Sequence, residues 1–158
     1  SQTPGRLNLF QFQNFQVLLD YAHNPAGMRA LNKFIQQLEV SHKVGIIAGI
    51  GDRREEDNNE IGSLAAEMFD EIIIRQDKHL RGRTEEELIG MLETGIKASK
   101  LKVKTTVIPS EEEAIRHAVK NAKKNSLIVL CSDVVPDALE LVKELKEREI
   151  LEEPELAE

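Results

Sequence analysis

At 158 residues and 17.8 kDa the chain has the length of one domain, long enough to bury a real core without disulfide or metal staples. A lone cysteine, Cys131, excludes an internal disulfide framework and fits a reducing cytosol. The balance of 21 basic to 28 acidic residues, net −7, argues against a nucleic-acid partner. Neither a bilayer-spanning apolar run nor a signal-peptide pattern is present, so the expectation is a cytoplasmic domain with no membrane partner.

In chain order, the first signal is a hairpin. Leu7 and Leu9 alternate with polar residues, Gln13-Asn14 make a polar turn, and Phe15 to Asp20 follow. The run Val17-Leu18-Leu19 predicts burial on both faces. The period then changes. Asn24 as N-cap and Pro25 in the first turn predict a helix carrying Met28, Leu31, Phe34, Ile35 and Leu38. Val44 to Gly49 reads as a buried strand, Gly51 to Asn58 as a polar loop, and Ile61 to Met68 as a second helix. Glu71 to Ile74 is a third buried strand. Thr84 and Glu87 have capping-box spacing ahead of a helix with Leu88, Leu92 and Ile96. Lys104 to Ile108 is a β-branched strand, and Ser110 caps a helix through Ala118 and Val119. Ser126 to Leu130 is the last strand and Pro136 to Glu149 the last helix. Residues 151–158, LEEPELAE, read as a frayed, flexible acidic tail. His42 and His117 read as surface positions at a helix end and on a helix face.

Strands alternating with helices predict an α/β fold: a Rossmann-like, doubly wound, mostly parallel six-stranded sheet with an N-terminal antiparallel hairpin strand. Ligands of such sheets bind outside the carboxyl ends of the strands. The loop after the second strand, DYAHNP, offers Asp20, His23 and Asn24 at a helix N-terminus, where anions are favoured. These residues fit ribose and phosphate contacts; they equally fit a helix cap and a solvated loop histidine. The next loop, GDRREED, sets Asp52, Arg53 and Arg54 among carboxylates. It reads either as a solvated charge cluster or as an arginine pair for anions framed by acids for a cation. The third holds Arg81, Gly82 and Arg83, suited to a carboxylate. The last strand ends at Ser132 and Asp133. No P-loop, nucleophilic triad or zinc spacing is present in the sequence, so no catalytic residue or metal ligand is assigned. Cys131 reads as a buried strand-end residue.

In this order, GRLNLF at 5–10, DYAHNPAG at 20–27, GDRREED at 51–57 and LRGR at 80–83 resemble the C-terminal domain of the Mur ligase superfamily. GDRREED with the later RGR is most similar to the cyanophycin synthetase family. The resemblance covers residues 5 to about 150, so 1–150 is expected to be a single domain of a larger ligase. It implies a closing lid domain of an ATP-dependent amide ligase in which ATP phosphorylates a carboxylate and an amine displaces phosphate. In that family arginine is joined to side-chain carboxylates of a poly-aspartate chain. ATP and Mg²⁺ would be held mainly by a central P-loop domain, and the fragment alone would be inactive. Asp20 resembles the ribose-binding residue, with His23 and Asn24 near the phosphates. Arg81 to Arg83 and Ser132-Asp133 fall where peptidoglycan ligases hold the amino acid. The segment Asp77 to Arg81 departs from the Asp-Asn-Pro-Arg of the diaminopimelate-adding enzyme. Candidate acceptors for a guanidinium are Asp133, Asp52, Glu55 and Glu56. Peptidoglycan and folylpolyglutamate ligases, or a stand-alone nucleotide-binding module, are the alternatives, and a homo-oligomer is compatible with each.

Overall fold

The structure is a computed structural model that describes residues 7–76, 80–131 and 135–157. Eleven elements follow one another among these residues: β1 (Asn8–Gln11), β2 (Phe15–Asp20), α1 (Pro25–Ile35), β3 (His42–Ile47), α2 (Glu55–Met68), β4 (Glu71–Ile74), α3 (Glu85–Ala98), β5 (Lys104–Val107), α4 (Glu111–Lys120), β6 (Ser126–Cys131) and α5 (Val135–Ala157). The six strands form one sheet in the order β1-β2-β6-β3-β4-β5. Only the β1–β2 pair is antiparallel, with Asn8 opposite Leu19; the others are parallel. This is the doubly wound sheet with a hairpin edge that the sequence predicts.

The winding follows from the order. The chain steps outward from β2 through β3 and β4 to β5, then turns back to insert β6 between β2 and β3. Right-handed crossovers therefore place α1, α2 and α3 on one face and α4 on the other. The two cores record this. Leu18, Ile47, Ile72, Ile74, Leu127 and Val129 pack under α1, α2 and α3. Val17, Leu19, Ile46, Ile73, Ile128 and Leu130 pack against α4 and α5. Both faces of β2 and β6 are thus covered, which is why their sequences are continuous apolar runs rather than alternating ones.

The reversal has a consequence for function. β6 sends its exit loop towards α5, whereas its neighbours β2 and β3 send theirs to the opposite face. Crevices open at the carboxyl ends on either side of β6, where ligands of open sheets bind.

Two glycines set the closest helix contact. A Cβ on Gly95 would lie 1.8 Å from the Asn59 carbonyl oxygen, and one on Gly62 would lie 2.2 Å from that of Leu92. Backbone against backbone at this range leaves no room for any side chain, so α2 and α3 pack through these two positions.

Helix starts follow the caps. Asn24 Oδ1 accepts from Gly27 N at 2.7 Å with Pro25 in the first turn. Thr84 and Glu87 form a reciprocal capping box, and Ser110 accepts from Glu113 N. Three expectations need correction. α2 begins at Glu55, inside the stretch expected to be loop; its acidic first turn, Glu55, Glu56 and Asp57, is favoured by the helix dipole. His42 opens β3 rather than ending a helix, and its ring faces Glu71 at 3.5 Å. α5 continues to Ala157, past the predicted end at Glu149. Pro154 falls within it, so the acidic segment expected to fray is helical backbone through Ala157.

Candidate functional site

β2 delivers the first group of residues. Asp20 is the last residue of β2 and lies opposite Cys131 in the parallel register with β6. Its Oδ2 accepts from Ala22 N at 3.0 Å, which turns the chain towards α1. Burial pushes its carboxyl above the usual 3.8, while hydrogen bonds from Ala22 and Tyr21 pull the other way. His23 Nδ1 lies 2.7 Å from the Tyr21 carbonyl oxygen. A carbonyl only accepts, so Nδ1 carries the proton and Nε2 is left without it. Asn24 uses its Oδ1 as the helix cap, leaving its amide NH₂. These three side chains, with Leu7 and the exposed Tyr21, line a cleft of about 280 Å³ at the start of α1. The structure thus brings together the whole predicted nucleotide group. Both readings of Asn24 are compatible: it caps the helix through its oxygen and also lines the cleft.

The loop after β3 is braced from two sides. Asn58 is fully buried on α2, and its side-chain amide pairs with both backbone groups of Ile50 at 2.9 and 3.0 Å. From the other side, Arg83 Nη1 donates to the Arg53 carbonyl at 2.6 Å. Arg83 follows a tight turn in which Arg81 (φ 52°) and Gly82 (φ 84°) both have positive φ, closed by Arg83 N donating to the Leu80 carbonyl at 3.0 Å. The two arginines of the RGR segment therefore differ: Arg83 is half-buried and structural, whereas Arg81 is exposed.

Arg54 is exposed and grips Asp57 through two nitrogens, Nε to Oδ2 at 3.2 Å and Nη2 to Oδ1 at 3.0 Å, with Glu56 at 3.7 Å. This partner holds the Asp57 carboxyl below its usual 3.8 and raises the Arg54 guanidinium. Asp52 is exposed. Arg54 is engaged by Asp57 in its own helix turn, and Arg53 lies half-buried with Nε enclosed and without a hydrogen-bond partner. Among the described residues no three His, Cys, Asp or Glu side chains converge on one point, and no helix is long and apolar enough to cross a membrane. Ser132, Asp133 and Asp77 to His79 lie outside the described residues.

One functional candidate was missed. Arg75 follows Ile74 at the end of β4 and is 4% exposed. Its Nη2 donates to the Cys131 carbonyl at 2.9 Å and its Nη1 to the Gln76 carbonyl at 3.3 Å. Its Nε lies 3.2 Å from Glu111 Oε2 on α4. Arg75 thus reaches across β3 from β4 to β6. It forms a wall of a cavity of about 500 Å³ with Ser110, Glu111, Glu112 and Asp137. The signal was present in the sequence: an arginine closing the apolar run Ile72-Ile73-Ile74 enters the interior and must find partners there. Cys131, beside it, is buried, and burial with Asp20 nearby pushes its thiol up to about 12.

Residues 5–134 match the family model described as Mur ligase, glutamate ligase domain. The chain is a Mur ligase C-terminal domain. It is 39% identical over 143 residues to the cyanophycin synthetase of Trichormus variabilis, covering 90% of this chain and 16% of that protein. The enzyme of the same name from Synechocystis is 38% identical over 92% of this chain and 16% of its own length. A UDP-N-acetylmuramoyl-L-alanyl-D-glutamate–2,6-diaminopimelate ligase of Caldanaerobacter subterraneus is 32% identical over 84% of this chain and 30% of its length. The chain therefore spans about a sixth of the cyanophycin synthetases it matches. Among solved structures, a 2,6-diaminopimelate ligase superposes with TM-score 0.70 at 21% identity, over 82% of this chain and 26% of that one. Escherichia coli FolC in complex with ADP also gives 0.70, at 20% identity over 92% and 33%. At such identities these neighbours establish the Mur ligase C-terminal fold.

Proposed function

We propose that this Mur ligase C-terminal domain serves an ATP-dependent amide ligase of the cyanophycin synthetase type, which adds arginine to aspartate side-chain carboxylates of a poly-aspartate chain through an acyl phosphate. The observation that carries this reading is the higher identity to cyanophycin synthetases, 39% over 90% of the chain, than to diaminopimelate ligases, 32% over 84%. The GDRREED and RGR segments sit within that match.

The chemistry of the site supports it. ATP supplies the phosphoryl group that activates the carboxylate, and Mg²⁺ screens its charge; both would be held mostly by a central P-loop domain. In the cleft at α1, the Asp20 carboxylate retains acceptor capacity for ribose hydroxyls. His23 Nε2 and the Asn24 amide lie within the same cleft for the phosphate side. His23 donates to a phosphate only once doubly protonated, because Nδ1 is committed to Tyr21. Across the sheet, the cavity under Arg75 presents Glu111, Glu112 and Asp137. Carboxylates outnumber the one guanidinium in it, which suits a cationic amino acid better than a dicarboxylic one. We assign the incoming amino acid to this cavity; Ser132 and Asp133 precede its lining residue Asp137 in the chain. Arg81 is the exposed guanidinium left for the substrate carboxylate, while Arg83 and Arg53 shape its loop. Asp52 and Arg54 stand at the rim on the α2 side.

The test is an assay of the full ligase carrying this domain, with ATP, a poly-aspartate primer and each amino acid in turn. Arginine-dependent phosphate release supports the reading, and release driven by glutamate or diaminopimelate instead would overturn it. The isolated chain, which has no P-loop motif, is expected to release no phosphate under the same conditions.

A further inference from the structure

The buried guanidinium of Arg75 is the most enclosed charged side chain among the described residues at the carboxyl ends of the strands. Arginine placed 4% exposed at a strand end is costly unless every direction it faces is answered. Two carbonyls accept from it, that of Cys131 at the end of β6 and that of Gln76 just past β4; the Glu111 carboxylate in the first turn of α4 pairs with it by charge at 3.2 Å, while the buried Nε makes no hydrogen bond. Gln76 and Glu111 line the same cavity as Arg75, whereas Cys131 lines a separate small cavity with it. The strand ends and the helix start are otherwise independent: β4 and β6 are separated by β3 and do not share a ladder.

We propose that Arg75 is a positioning residue for the amino-acid subsite: it ties the exit of β6 to the first turn of α4 and fixes Glu111 on the cavity wall. This rests on the assignment of the cavity to the amino acid made above. The guanidinium is a rigid, planar fork, so it holds two carbonyls and stays beside a carboxylate at once, which a lysine ammonium does not do. Loss of Arg75 removes one partner of the Glu111 carboxylate and the tie to the Cys131 carbonyl at the end of β6. The nucleotide cleft lies at the far side of β6 against α1 and shares none of the Arg75 partners.

The experiment is steady-state kinetics on the full ligase with Arg75→Met, Arg75→Lys and Glu111→Gln, varying the amino acid and ATP separately. Arg75→Met is expected to raise the amino-acid KM by at least about tenfold with kcat and the ATP KM within about twofold, the pattern of lost binding alone. Arg75→Lys restores less than half of that loss on a logarithmic scale. Glu111→Gln, which keeps its shape and removes only charge, covers the case in which Arg75→Met fails to fold. It is expected to raise the same KM, and combining it with Arg75→Lys adds less than the two separately. Equal changes in the amino-acid and ATP constants, a fall in kcat alone, or full additivity would overturn the proposal. Failure of the parent reading is distinct: the wild-type ligase would then show no saturable dependence on a cationic amino acid.

Discussion

Arg83 donates from Nη1 to the carbonyl of Arg53 at 2.6 Å, joining the turn before α3 to the loop after β3. Arg83 is thereby tied into the fold, while Arg81, two residues earlier in the same motif, is exposed. Arg83→Ala is expected to lower stability by about 1–2 kcal/mol, the scale of a lost charge-assisted hydrogen bond, read as a lower urea midpoint. Arg81→Ala, at an exposed site, should leave the midpoint nearly unchanged and instead raise the amino-acid KM of the full ligase. The reverse pattern would contradict the division of roles.

Asn24 caps α1 through Oδ1. Asn24→Ala should cost about 1 kcal/mol of stability, and Asn24→Asp should retain most of the cap. A thermal melt of the three chains side by side is sufficient. Equal melting temperatures would mean that the cap bond contributes nothing.

The folded Asp20 carboxyl has its proton affinity raised above 3.8, chiefly by burial. The folded state therefore holds the proton longer than the unfolded chain, so stability falls as pH rises through the window that opens near 3.8. Asp20→Asn is expected to remove this decline while retaining an acceptor for Ala22 N. Denaturant midpoints measured from about pH 4 to pH 7 should diverge in favour of the variant as pH rises; parallel profiles would show that burial of Asp20 has no such effect.

Gly95 meets the Asn59 carbonyl where any Cβ would lie 1.8 Å away. Gly95→Ala must push α2 and α3 apart and should destabilise by about 1–3 kcal/mol, as overpacking does. Gly90, on the same helix with open space around it, is the control: Gly90→Ala should stabilise slightly through helix propensity.

Much of this was legible from the sequence because it depends on local chemistry. Asn24-Pro25, Thr84 to Glu87 and Ser110 to Glu113 announce their helices through caps, and the run Val17 to Leu19 announces a strand covered on both faces. DYAHNP gave the cleft for the same reason: Asp20, His23 and Asn24 are close in the chain as well as in space. What was not legible depends on partners far along the chain. Arg75 acquires its meaning from Cys131 and Glu111, and Arg83 from Arg53. Asn58 read as loop, yet it is the buried residue that holds Ile50. The charge cluster at 51–57 reads as one loop, but α2 begins at Glu55 within it, so that Arg54 just before the helix is gripped by Asp57 in its first turn.

The central claim is that this domain belongs to a ligase that joins arginine to poly-aspartate. The most direct measurement is phosphate release by the full ligase with ATP and a poly-aspartate primer, scanned across the amino acids. The account predicts release with arginine that rises with primer and is lost with citrulline, its neutral isostere. Release unaffected by arginine, or driven equally by diaminopimelate or glutamate, would contradict it.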